Sequence, residues 1–588
     1  RMSHAFENPA ATEPSKIIRR SWSRAVRNGG NGEDGDRLNR TALREVIASW
    51  RDSEGFVFKM KTFLRLSLQQ YNFEIYPYQS QFGPLRGGNP VRRDLLTDNL
   101  EEMFIRTAWN IVNSDGDFRQ VVTTRTWQVT TAILAALVYA DEPAFDGEQF
   151  RYFTHLDEAD YSDWRDVTFV QETGNSPGPS FTHTAAFANA LRAIPNGGTL
   201  ALSAPRVGFF TSPTFFANWQ TNEDNQHRVT TNQTVIVALD RLFETGDTTQ
   251  QPNLNGLADE HAMPGTACYQ CHRLMDPMRL QFQNVYTVDY RARTTPQTTA
   301  PSFAFHGYVD APATMDEFAA TIVAHPRFPV AWVQKLCMWA NTQRCAEDDP
   351  EFIRLVNSFA AHFNFLDLVV EAMSSPLFTG ASRTPSGSTH PLFVSIARRD
   401  HLCLALRTRV REAREEKCAA AREVDPQATP AVCTPRVDID CDSGIIKNAS
   451  QLISGDTFGR GNRDFVQSSL SDPFNTRALQ DLCTEAGPDV IGNGRAFDDD
   501  DVPAALDRMA RQIMGFPAEH PRYAQARATL QWLFDIATAS PSCSETQRDV
   551  VTANEDEIVC GLELNGVRAL HVPWLFACSS PELAGLGL

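Results

Sequence analysis

Five residues, Cys268-Tyr269-Gln270-Cys271-His272, narrow the choices for this 588-residue chain more than any other feature. Two cysteines separated by two residues share one edge of a helical turn, and a histidine directly after the second can swing its imidazole beside that edge. Two thiols that add across the vinyl groups of a porphyrin, and an imidazole that binds its iron, are what a c-type haem requires. With 12 Cys and 13 His in the chain, independent placement would produce the motif only about 0.005 times. The spacing predicts one covalent haem c on Cys268 and Cys271, with His272 as the proximal iron ligand.

Other uses of the motif fit less well. A zinc site needs two more ligands at comparable spacing, and the sequence has no second C-x-x-C and no H-x-x-x-H. A thioredoxin-like redox pair expects an adjoining βαβ pattern, which is missing. A plain disulfide between Cys268 and Cys271 remains open but leaves His272 without a role. The other ten cysteines are Cys337 and Cys345, then Cys403, Cys418, Cys433, Cys441, Cys483, Cys543, Cys560 and Cys578 in the last third. Their even number and irregular spacing suit five disulfides and an oxidising compartment. Free buried thiols in a cytosolic protein are the alternative.

The sixth iron position is less constrained. Met275 and Met278 share a local segment with His272 and do not easily reach the opposite face of a haem. Met315 and Met338 lie at reasonable distances, but in predicted helices with apolar neighbours, where methionine is ordinarily a core residue. His261 precedes Cys268 in a loop that can fold back over the haem, and His306 and His325 are further candidates. A lone loop histidine is more often solvated than ligating.

The hydrophobic content of 42% allows substantial cores, while the net charge of −18 argues against nucleic acid as a partner. No segment approaches the roughly 18 uninterrupted apolar residues of a membrane helix. The most apolar run, residues 130–140, fits a buried helix. The opening residues are polar, so an exported form would be one whose leader has been removed.

Hydrophobic periodicity predicts a mainly α, multidomain protein with long loops and no solenoid repeat. Residues 1–40 read as an extended N-terminal arm and 41–150 as a helical domain, with Thr41 a candidate N-cap and helices through 118–139. Residues 151–255 read as a loop-rich connection, with a few short strands in 141–200 and a helix near 229–244. Residues 256–385 form the haem domain, with helices at 314–326 and 329–345. Residues 386–588 read as a Cys-rich, disulfide-stabilised helical domain. Asn113 to Phe118, with oxygen donors at alternate positions, is a weak calcium-loop candidate, and 437–444 and 496–502 are acidic clusters. None has the Gly and bidentate Glu of an EF-hand, which favours solvated loops.

The haem segment resembles that of the large planctomycete- and myxobacteria-type cytochrome c-like proteins, which are strings of domains of unknown function. The shared elements are His261, Pro264, Cys268 to His272, Met275-Asp276-Pro277, Phe282 to Tyr286, Asp289 and Arg291. Flanking likeness covers roughly 40–380, including a C-terminal helical module ending in Ser375-Pro376-Leu377-Phe378, and the closing CSSPELAGLGL is similar to some myxobacterial members. This chain departs from the family at Met278-Arg279, where a Gly is usual nearby, and at Trp339 to Gln343. The resemblance implies a haem-bearing, exported protein in the periplasm or at the cell surface. It favours His261, which matches the family's upstream histidine, as distal ligand over Met338, which falls where the family has another residue.

The expected role is electron transfer with a redox partner protein or with other copies of the chain. A haem enzyme, peroxidase- or oxygenase-like, with an open sixth position is one alternative, and a surface assembly or filament protein carrying haem is another. No P-loop, G-x-S-x-G or dinucleotide-binding motif points to other chemistry.

Overall fold

The computed structural model describes residues 33–70, 90–141, 153, 155–171, 185–219, 227–257, 263–293, 298–341, 344–379, 395–396, 399–424, 473–492, 494–497, 501–539, 569–580 and 585–586. These residues are mainly helical, with a few short strands. The chain divides near residue 390 into two compact units, residues 2–389 with 458–465, and residues 390–457 with 466–588.

In the first unit, α1 (Glu33–Ala48) begins inside the stretch read as an extended arm. Its N-terminal half has an anchor that the sequence pattern does not reveal: Arg40 Nη2 donates to Glu351 Oε2 at 2.8 Å. Helices α2 (Glu54–Ser67) and α3 (Pro90–Asn113) pack together. The passage 118–139, expected to hold one or two helices, holds α4 (Gln120–Thr123), strand β1 (Thr126–Val129) and α5 (Thr131–Asp141). The strand wins because Trp127 and Val129 alternate into the core. Thr126 and Gln128, between them, reach the neighbouring strand through Thr168 at 2.8 Å and Asp166 at 2.6 Å. As expected for the apolar run, residues 131–140 of α5 are all buried.

Strand β2 (Arg165–Gln171) pairs antiparallel with β1 and parallel with β3 (Gly198–Leu202), the chain passing through α6 (Ala185–Arg192) between them. This sheet crosses the boundary drawn at residue 150. The one at 255 is crossed by Arg206 Nη1, which donates to the Tyr286 hydroxyl at 3.0 Å. The segments read as 41–150, 151–255 and 256–385 therefore fall in one compact unit.

The rest of the first unit includes α7 (Arg228–Leu239), α8 (Ala267–Gln283), a hairpin of β4 (Phe303–Phe305) and β5 (Tyr308–Asp310), then α9 (Met315–Ala324), α10 (Arg327–Asn341), α11 (Pro350–His362) and α12 (Phe365–Met373). Helix α9 starts with a capping box in which Thr314 Oγ1 accepts from Glu317 N while the Glu317 carboxylate accepts from Thr314 N. Helix α8 packs on α7, on β4 and on α9; α10 packs on α7, α11 and α12. At the start of α12, the Phe118 ring stacks on Phe365 at 4.3 Å and meets Trp332 edge-on at 4.5 Å, forming an aromatic centre for the unit.

The second unit contains α13 (Arg399–Val424), α14 (Pro473–Val490), α15 (Val502–Arg508), α16 (Tyr523–Ala539) and α17 (His571–Cys578) around a core that includes Leu406, Leu482, Phe497, Leu506 and Trp574. Cys483–Cys578 ties α14 to α17, and Trp574 Nε1 donates to the Cys483 carbonyl at 2.8 Å. In the first unit, Cys337–Cys345 joins the end of α10 to the loop behind it. Cys433, Cys441, Cys543 and Cys560 lie outside the described residues. No helix among the described residues is long and apolar enough to cross a membrane.

The Cys483–Cys578 bridge spans 95 residues of sequence. Loop-closure entropy on that scale is worth about 4.7 kcal/mol. The double variant C483A/C578A is expected to lose stability of that order in chemical denaturation, and an unchanged unfolding midpoint would show that the bridge does not constrain the unfolded chain.

Candidate functional site

Helix α8 begins where Thr266 Oγ1 accepts from Tyr269 N at 3.3 Å, after a turn through Gly265 at φ +92°. Capping here puts Cys268 and Cys271 on consecutive turns of one edge and His272 beside them. This flank is open: Met263 is 62% exposed, and Gly265, Thr266, Cys268 and Gln270 are exposed as well. Cys268 and Cys271 are separate thiols. Cys271 Sγ donates to the Phe243 carbonyl at 3.3 Å, and burial, with the neighbouring Cys268, pushes its thiol pKa up.

His272 is part-exposed, and its Nδ1 faces Asp276 one turn on, 3.3 Å from Oδ1 and 3.4 Å from Oδ2. Helical side chains lean towards the N-terminus, so a residue four positions later can reach back in this way. Asp276 is fully buried. Arg228 at the start of α7 clamps it, Nε donating to Oδ1 at 2.7 Å and Nη2 to Oδ2 at 3.0 Å, while Arg279 Nε lies 3.7 Å from Oδ1. Burial raises the Asp276 pKa, but the His272 and Arg228 hydrogen bonds and the charges of Arg228 and Arg279 outweigh it and bring the carboxyl down to about 2.

Residues 240–257 strap the outer side of α8. Arg273 donates to the Thr249 carbonyl at 2.6 Å and also to the Asp247 carbonyl, and Gln251 Nε2 donates to the Leu274 carbonyl at 2.7 Å. Gly256, at φ +76°, permits the close approach: a Cβ there would stand 3.1 Å from the Asp276 carbonyl and 3.0 Å from Leu280. Arg279 Nη2 secures the turn by donating to the Gly256 carbonyl at 2.9 Å.

The remaining sequence candidates lie elsewhere. His261 is outside the described residues. Met338 is 6% exposed on α10, beside the disulfide-bonded Cys337; Met315 and Met278 are buried, and Met275 is half-buried. His325 is buried with both ring nitrogens engaged: Nδ1 accepts from Arg327 N at 3.0 Å, which makes Nε2 the donor to the Phe305 carbonyl at 3.0 Å. His306 occupies the β4–β5 tip with Gly307, both at positive φ, where a two-residue turn favours Asn-Gly. Its Nε2 lies 3.2 Å from the Leu242 carbonyl, adjacent in sequence to the carbonyl that Cys271 uses. The calcium-loop carboxylates have cationic partners, Asp115 with Arg51 at 3.0 Å and Asp117 with Arg119 at 2.6 Å.

The donor set fits a covalent haem. Two thiols stand on one open edge, and the adjoining imidazole has one nitrogen held by a buried carboxylate while Nε2 makes no hydrogen bond among the described residues. Among the described residues, no group of three or more His, Cys, Asp or Glu is arranged around a metal position. Asp276 and Arg228 are neighbours of the His272 site to which the sequence pattern gave no role, although a His and an Asp four apart on a predicted helix is a legible signal for the first. No family model, curated protein or solved structure matches this chain.

His325 yields a pH prediction. Burial lowers its pKa from 6.5 to about 4, against the raising effect of the Phe305 carbonyl. A folded value below the unfolded one gives stability that is present above about pH 6.5 and is lost as pH falls towards 4, on the order of 3 kcal/mol for this shift. Wild type should lose that much more stability than H325Q between pH 7 and 4 in denaturant titrations, and parallel pH profiles would show that His325 does not stay neutral in the fold.

Proposed function

We propose that this chain is an exported, single-haem c-type cytochrome related to the large cytochrome c-like proteins that its haem segment resembles, and that it transfers electrons. The observation that carries the proposal is the state of the motif: Cys268 and Cys271 are free thiols on one helical edge, the first exposed and the second half-buried, with His272 held beside them through a single ring nitrogen. When bound, the haem supplies an iron that takes up or gives up one electron. The chain's own residues do the rest. Cys268 and Cys271 each contribute a sulfur to a thioether bond, which fixes the group to the first turns of α8. His272 presents Nε2 as the proximal ligand, and its orientation follows from the Nδ1 contact with Asp276. Thr266 sets where the helix starts and hence the placement of all three.

The exposed flank of α8 suits electron exchange with a partner protein, because a group attached there lies close to the surface. An acidic chain with a net charge of −18 is suited to docking a basic partner. Export is consistent with disulfides at Cys337–Cys345 and Cys483–Cys578. His261 is the proposed distal ligand and Met338 its alternative.

The test is to express the full chain in a bacterial host with periplasmic haem-attachment machinery and to record oxidised and dithionite-reduced spectra, with and without carbon monoxide. Haem that stays bound on denaturing gels, and sharp reduced α and β bands that carbon monoxide does not alter, are the expected results. C268A/C271A should abolish the covalent attachment. A Soret band shifted by carbon monoxide would reveal an exchangeable sixth position and transfer the lead to a haem enzyme. Absence of haem from wild type would falsify the cytochrome proposal and return the two cysteines to ordinary thiol chemistry.

A further inference from the structure

We infer that Asp276 and Arg228 are opposed positioning residues that set the reduction potential of the site, the carboxylate lowering it and the guanidinium raising it; this rests on the haem reading of Cys268, Cys271 and His272. His272 Nδ1 lies 3.3 Å from Asp276 Oδ1, and the carboxylate is fully buried. The Nδ1 hydrogen is the one available for this contact, since Nε2 must be bare to bind iron. A carboxylate that accepts it pushes electron density into the ring and strengthens the ligand's donation, which favours the ferric form. One electron from an external donor converts ferric to ferrous iron and makes the site more negative by one charge. A fixed negative charge nearby therefore disfavours reduction, and a fixed positive charge favours it.

Arg228 works on the same carboxylate from the opposite side. Its two hydrogen bonds, at 2.7 and 3.0 Å, draw charge away from the His272 contact and fix the orientation of the carboxylate. The Arg228 side chain is 6% exposed, that of Arg279 8% and that of Asp276 0%, so solvent screens these charges little. A structural ion pair alone would need Arg228 and Asp276 and no histidine. Here the pair is built directly behind the imidazole that follows the two cysteines.

The opposed roles give a signature that mere loss of structure does not. In the haem-loaded full chain, D276N keeps the size and an acceptor oxygen while removing the negative charge, and should raise the midpoint potential. R228Q leaves the carboxylate less compensated and should lower it. A change of roughly tenfold in the ferric-to-ferrous preference is expected in each case, equivalent to about 59 mV for one electron. D276A removes the acceptor as well, so it should give several ferric electron-spin-resonance species where D276N gives one.

Shifts of the same sign, or potentials of both variants indistinguishable from wild type, would overturn the inference. If one variant does not accumulate, the direction of the other decides. If neither does, the wild-type paramagnetic proton spectrum decides: a His272 Nδ1 proton slow to exchange supports the buried carboxylate contact, and a rapidly exchanging one overturns it. Wild type that carries no haem would defeat the functional reading, whereas haem-loaded variants with unshifted potentials would defeat only this inference.

Discussion

Asp276 is a carboxylate with no access to water, and the local structure is arranged around neutralising it. An isolated buried carboxylate costs several kcal/mol. Arg228 brings the first turn of α7 to it, Arg279 approaches from the next turn of α8, and His272 meets it on the solvent side. The first contact joins two helices 48 residues apart in sequence. Because α8 is held from within by this pair and from outside by Arg273 and Gln251 on the 240–257 strap, the Cys268–His272 edge has a rigid base.

Helix α8 also has to accommodate Pro277, which has no N–H to offer the carbonyl of Arg273 four residues earlier. The cost is limited by what surrounds the helix. Ser302 N donates to the Pro277 carbonyl at 3.3 Å, and Ser302 Oγ donates to Gln251 Oε1 at 2.8 Å, so the segment before β4 and the strap meet over the same turn. The Met-Asp-Pro run thus has two distinct physical parts, the Asp buried behind the histidine and the Pro at a turn braced from outside.

Much of this was legible in the sequence. The C-x-x-C-H spacing requires no tertiary information, since both cysteines and the histidine lie within two helical turns. The mainly α fold, the helix starting near residue 314 and the buried helix within 130–140 followed from local pattern, because each depends on residues near in sequence. What was not legible depends on distant partners. Thr126–Val129 carries β-compatible residues, but only β2 makes it a strand. Helix α1 extends into the stretch read as an arm, and its Arg40 meets Glu351, 311 residues away. Arg228 looks like any helix-start arginine until Asp276 is placed beside it. The residues 151–255 and 256–385 could be separated by composition, yet Arg206 lies inside the aromatic pair Tyr286 and Tyr290, at 5.4 and 4.6 Å from their ring centres.

The electrostatics of the site are local, whatever the charge of the whole chain. A net charge of −18 shapes the long-range field, but between exposed groups that field decays over about 8 Å at physiological ionic strength. Asp276, Arg228 and Arg279 are buried, and both guanidinium groups lie within 3.7 Å of the carboxylate, so one negative and two positive charges are enclosed beside His272. Under the electron-transfer proposal the two scales would serve different ends: distributed acidic residues would govern encounter with a partner, and the enclosed side chains how readily an electron is held. Substitutions on the exposed surface would then leave the surroundings of the imidazole unchanged.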